Sequence, residues 1–71
     1  MTDTNKLKAV LALRGMTAGD LAEKIGLSRQ SISYKINNQR EFRVKEIAAI
    51  AEVLNLTLEE KEEIFFGSKV A

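Results

Sequence analysis

Seventy-one residues suffice for one domain around one small hydrophobic core, not for two. The chain has neither cysteine nor histidine, which excludes disulfides, thiolate metal sites and thiol nucleophiles and removes the usual general base and the commonest metal ligand. The net charge of +1 hides an imbalance: Lys24, Arg29, Lys35, Arg40, Arg43 and Lys45 face only Glu41 in the middle, while the tail sets Glu59, Glu60, Glu62 and Glu63 against Lys61 and Lys69.

Proline is absent and β-branched runs are short, so the chain reads as all-α. A first helix is expected over about 5–14, capped by Thr4 with Asp3 as the second candidate. Leu7, Val10, Leu11 and the stem of Arg14 form its apolar face, and Gly15 ends it. A second is expected over about 17–25, with Thr17 as cap and Asp20 in the place of a capping-box acid. Leu21, Ala22 and Ile25 form its buried stripe, and Gly26 closes it with Leu27 packing inward. Ser28 caps a third helix over about 28–38. Only Ile32 and Ile36 lie on its buried stripe, so an outward polar face is left for another purpose.

Residues 37–43 read as a loop anchored by Phe42. A fourth helix, about 44–54, offers Val44, Ile47, Ala48, Ile50, Ala51 and Leu54 to the core, and Asn55 ends it. Thr57 with Glu60 starts a fifth helix over about 58–66, terminated by Gly67, with Ser68 to Ala71 fraying. No repeat or linker divides residues 1–71, which form a single domain. No apolar run approaches the ~20 residues that span a bilayer. The polar start Met1 to Lys6 is unlike a signal peptide, so a cytoplasmic protein without membrane partners is expected.

Two short helices joined at Gly26, the second polar and basic outside, have the layout of a DNA-binding helix-turn-helix. Ala22 is small where two helices cross steeply, and Gly26 suits a positive φ that costs other residues about 1 kcal/mol or more. The basic middle fits a phosphate-facing surface, although solvated helix faces would carry the same charges.

Ala22, Gly26, Leu27, Ser28 and Ile32, with Ile47, Ala48, Ala51 and Leu54, resemble the five-helix domain of phage repressors and Cro proteins, the lambda-repressor-like branch of helix-turn-helix proteins. The resemblance runs from Leu7 to about Phe66. The stretch Ser31 to Asn38 is most similar to small regulators of temperate phages of Gram-positive bacteria, either Cro-type repressors or modulators of a main repressor. One departure stands out. Many members carry an apolar residue three positions after the one matching Ile32, where this chain has Lys35 and the apolar residue follows at Ile36.

The resemblance implies that Arg29, Gln30 and Tyr34, with Ser33 on the same face, read bases in the major groove of a double-stranded operator. Arginine pairs bidentately with guanine and glutamine with adenine. A cation opening a helix meets the positive end of its dipole, a cost of ~0.3–1 kcal/mol, which favours a functional role for Arg29. Tyr34 suits either a base contact or a cover over a neighbouring helix. Phosphate contacts are expected from Thr17 and the first amides of its helix, and from Ser31, Lys35, Asn37, Asn38, Arg40 and Arg43. Ordinary solvated residues would look the same there.

Leu58, Ile64, Phe65 and Phe66 give the last helix more apolar surface than a chain end needs. They are candidates for a dimer or partner surface, or for plugging the core. In the family this helix often contributes to a twofold dimer, which places recognition helices roughly 34 Å apart on DNA. Three readings follow: a repressor acting by operator occupancy, a modulator or antirepressor that binds a partner repressor, and an antitoxin with a toxin partner. Glu, Asp, Lys and Tyr form no recognisable catalytic pair, so no enzyme, catalytic residue, metal or cofactor is expected.

Overall fold

Helix starts and stops in this chain are set by a few side chains. The computed structural model describes residues 1–66. Five helices appear: α1 (Thr4–Leu13), α2 (Ala18–Ile25), α3 (Arg29–Ile36), α4 (Val44–Val53) and α5 (Leu58–Phe65), with no strand among the described residues. Gly67 and Ser68 to Ala71, expected to end the last helix and to fray, lie outside the described residues.

Three of the starts follow one chemistry. The Thr17 hydroxyl accepts the Asp20 N–H at 3.0 Å and the Asp20 carboxylate accepts the Thr17 N–H at 3.0 Å. Thr57 and Glu60 repeat this box at 3.0 and 2.9 Å, and the Ser28 hydroxyl accepts the Ser31 N–H at 3.1 Å. These bonds satisfy N–H groups that have no partner inside a helix. The first helix differs from expectation. Asp3, not Thr4, caps α1, its carboxylate accepting the Lys6 N–H at 3.1 Å. Thr4 is released to become the first helical residue, and its hydroxyl donates to the Ile36 carbonyl at the end of α3.

Four helices end alike. Gly15, Gly26, Asn38 and Asn55 all have positive φ. After each, the next residue's N–H returns to a carbonyl of the preceding helix: Met16 to Leu11, Leu27 to Ala22, Gln39 to Tyr34 and Leu56 to Ala51, at 2.8–2.9 Å. This satisfies last-turn carbonyls and, after Gly15, Gly26 and Asn55, sends the apolar Met16, Leu27 and Leu56 back towards the core.

Leu7, Leu21, Ile32, Ile50, Leu54 and Ile64 are fully enclosed, and Ala22 is buried where α2 packs on α3. Phe42 anchors the α3–α4 loop edge-to-face on Phe65, with centroids 5.5 Å apart. Two positions expected on the inner face of α4 are outside. Val44 is 83% exposed because it opens the helix beyond the end of the core, and Ala48 is exposed, being turned about 100° from Ile47. Ile25 is half-buried at the edge of its stripe. Arg14, following α1, donates through Nε to the Leu54 carbonyl at 2.9 Å and so caps the end of α4.

Candidate nucleic-acid interface

The turn between α2 and α3 fixes the angle at which α3 stands off the core. Gly26 has φ +79°, and a Cβ built there meets nothing within 4 Å, so its requirement is conformational and not steric. Ala22, Ile32 and Ile36 then press α2 and α3 together from beneath.

Three of the expected base-reading residues, Arg29, Gln30 and Ser33, are exposed on α3, with Tyr34 half-buried beside them. Gln30 Nε2 donates to the Tyr34 hydroxyl at 3.2 Å, linking two residues one turn apart. The Arg40 guanidinium lies over the Tyr34 ring, 5.3 Å from its centroid, so Arg40 and Tyr34 act on one surface. Arg29 lies back across α2, its guanidinium against Gly19. A groove of about 630 Å³ runs beside it, lined by Lys8, Thr17, Gly19, Arg29, Ser33 and Asn37 among others. Lys8 carries no sequence signal for this place, because one lysine beside Leu7 looks like any solvated helix residue.

The rim residues divide. Thr17, Asn37, Arg40 and Arg43 are exposed, and Ser31 is half-buried. Two others bond to groups of the fold itself, Lys35 buried and Asn38 exposed. Lys35, expected at a phosphate, is 7% exposed and places Nζ 2.7 and 2.9 Å from the carboxylate oxygens of Glu46. It occupies an inward position of α3, its stem supplying the packing and Glu46 the counter-charge. Asn38, also expected at a phosphate, turns its amide to the N-terminal segment. Oδ1 accepts the Thr2 N–H at 2.9 Å and Nδ2 donates to the Thr2 carbonyl at 2.8 Å.

Electrostatics follow these contacts. The Thr17 N–H and then its hydroxyl hold the Asp20 carboxyl below its ordinary value, with smaller help from the charges of Arg29 and Lys24. Asp20 thereby keeps its negative charge to lower pH than a free aspartate does.

The expected partner surface also divides. Ile64 and Phe65 are buried in the core, Ile64 fully and Phe65 with only an edge left at the surface, because they plug the end left open between α1 and α4. Leu58 and Phe66 are 72% and 59% exposed. Phe66 joins Met1 and Val44 at a second groove of about 340 Å³ whose floor includes Phe42, Ile47 and Phe65. Met1 and Val44 gave no sequence signal for this role, since Val44 fits the apolar spacing of α4.

Among the described residues no group of acids could hold a metal ion, and no helix is long and apolar enough to cross a membrane. The helix-turn-helix family model matches residues 7–61, from within α1 to within α5. Comparison with curated proteins and with solved structures gives no match.

Proposed function

From the premise that the chain belongs to the helix-turn-helix family of lambda repressor and Cro, and so is a DNA-binding transcription regulator, we propose a repressor that acts by occupying its operator. The observation that carries this reading is the outer face of α3. Arg29, Gln30 and Ser33 are exposed together, and none of them is needed by the core. In the proposed complex Arg29 and Gln30 read bases, Ser33 and Tyr34 make adjoining contacts, and Thr17, Ser31, Asn37, Arg40 and Arg43 hold phosphates. The phosphate contacts fix register and the base contacts supply preference. A second copy docked through Leu58 and Phe66 would present two such helices to one face of the duplex.

The groove edged by Met1, Val44 and Phe66 supports a second reading, a modulator whose principal partner is another repressor protein. Titration of the purified chain against its own upstream DNA and against scrambled DNA, at two salt concentrations, separates the two. Tight, salt-dependent binding with preference for the upstream DNA supports the repressor. Weak binding without preference refutes autonomous repression and favours the modulator. In the first case, Arg29→Ala costs about 1–3 kcal/mol and relaxes selection at one base pair.

A further inference from the structure

We propose that Gly19 is a specificity-determining position, which sets the direction of the Arg29 side chain by leaving room for it to lie flat on α2. The inference rests on the reading of Arg29 as a base contact.

A Cβ built on Gly19 would stand 3.1 Å from Arg29 Nε, 3.2 Å from Cζ and 3.3 Å from Nη2. Its three nearest neighbours are therefore all atoms of one guanidinium group. Nothing in the backbone asks for glycine here. Gly19 is the second residue of α2 and is absent from the positive-φ residues, unlike Gly15 and Gly26. In a helical position glycine is a poorer choice than alanine, so local helix stability does not account for it. What the missing side chain does is let a planar cation rest against the first turn of the neighbouring helix.

That contact matters because of where Arg29 starts. It is the first residue of α3, and among the described residues it makes no ion pair and no hydrogen bond. Its position is set by shape, with Gly19 against the guanidinium, and its charge acts on the Asp20 carboxyl without an ion pair. An arginine reads guanine through two parallel N–H bonds, so its value depends on the plane and angle of the guanidinium. A methyl group on residue 19 forces that plane outward by a few tenths of an ångström or into another rotamer.

The test is a double-mutant cycle of Gly19→Ala and Arg29→Ala, read on duplexes selected by the unmodified chain from a randomised pool. Gly19→Ala keeps or raises the melting temperature, since alanine favours the helix. It lowers affinity for the selected duplex by about five- to tenfold, a coupling of ordinary size for contacting residues. It also weakens selection at the same base pair that Arg29→Ala relaxes, and has no effect on DNA binding once Arg29 is alanine. Unchanged selection in Gly19→Ala, or an equal loss with and without Arg29, overturns the assignment. Selection unaffected by Arg29→Ala itself refutes the base-reading role, and that result is distinguishable because it does not involve residue 19.

Discussion

Lys35 Nζ stands 2.7 and 2.9 Å from the two carboxylate oxygens of Glu46, joining the last turn of α3 to the first turn of α4. The same Glu46 Oε1 accepts the Arg43 N–H at 2.9 Å, so one carboxylate caps α4 and holds the recognition helix. Both side chains are nearly enclosed, at 9% and 12% exposure. Lys35→Met leaves that carboxylate without its counter-charge. The expected loss is about 2–3 kcal/mol, somewhat below that of a fully buried pair because Glu46 keeps the Arg43 N–H. Adding Glu46→Gln, which retains an acceptor for that N–H, restores most of it. Urea denaturation of the single and double variants measures both, and equal instability of the two would contradict the account.

The pair also makes stability depend on pH. Burial pushes the Glu46 carboxyl up, but the Lys35 hydrogen bond, the Arg43 N–H and the charges of both side chains outweigh it and hold the pKa below its ordinary value of 4.5. A carboxyl with a depressed folded pKa contributes fully above its unfolded pKa and loses that contribution as pH falls through the folded one. Stability is therefore expected to decline below about pH 4.5, and less steeply in Glu46→Gln. Identical pH profiles for the two proteins would remove Glu46 from the explanation.

Asn38 clasps the N-terminal segment with its amide and is expected to make no phosphate contact. Its left-handed backbone ends α3, and its amide holds both polar groups of Thr2, while the Asp3 N–H bonds the Ile64 carbonyl at 2.7 Å. The N-terminal segment thus ties the recognition helix to α5. Asn38→Ala loses both hydrogen bonds to Thr2, of about 0.5–1.5 kcal/mol each, and a longer one from Nδ2 to the Thr4 hydroxyl at 3.3 Å, and it adds left-handed strain, for a total of about 2–4 kcal/mol. The affinity of the folded variant for DNA stays unchanged. A uniform loss of affinity on selected and scrambled duplexes alike would return Asn38 to the phosphate contacts, and, the amide being uncharged, it would come without a change of salt slope.

Arg43 provides the contrast. It is exposed, and its hydrogen bonds are those of the backbone: the N–H donates to Glu46 Oε1 and the carbonyl accepts the Ile47 N–H. Arg43→Ala is expected to weaken binding to all duplexes alike and to reduce the salt slope by about 1, as loss of one phosphate contact does. Binding isotherms across a salt series on selected and scrambled duplexes measure this. Altered base preference would contradict the role.

Which features were legible follows from how local their causes are. Thr17 with Asp20 and Thr57 with Glu60 are pairs three residues apart, readable from the chain and present in the structure. Gly15, Gly26 and Asn55 likewise end helices where an apolar residue follows. Asn38 has the same backbone, but Gln39 follows it, so the apolar half of the signal is missing. The choice of Asp3 over Thr4 depended on the Ile36 carbonyl, far away in sequence, which draws the Thr4 hydroxyl aside. Lys35 was marked by its departure from the family pattern, but its partner Glu46 comes from another helix, and spacing within α3 could not reveal it. The outward face of α3 was legible for the opposite reason: it has little to do with the rest of the fold.

Gly26 separates backbone strain from crowding. With φ at +79° and nothing within 4 Å of the point a Cβ would occupy, a larger residue finds space but not an easy conformation. Gly26→Val should cost about 1–2 kcal/mol or slightly more, because a β-branched residue is poorly tolerated in the left-handed region. For a domain of this size that lowers the melting temperature by roughly 5–15 °C. Gly26→Asn should lose less than half as much, since asparagine already occupies the left-handed region at positions 38 and 55 of this chain. Thermal melts of the two variants decide it. Equal losses would mean that bulk at the turn matters more than φ, and an unchanged melting temperature for the valine variant would mean that the turn does not hold α2 and α3 at their angle.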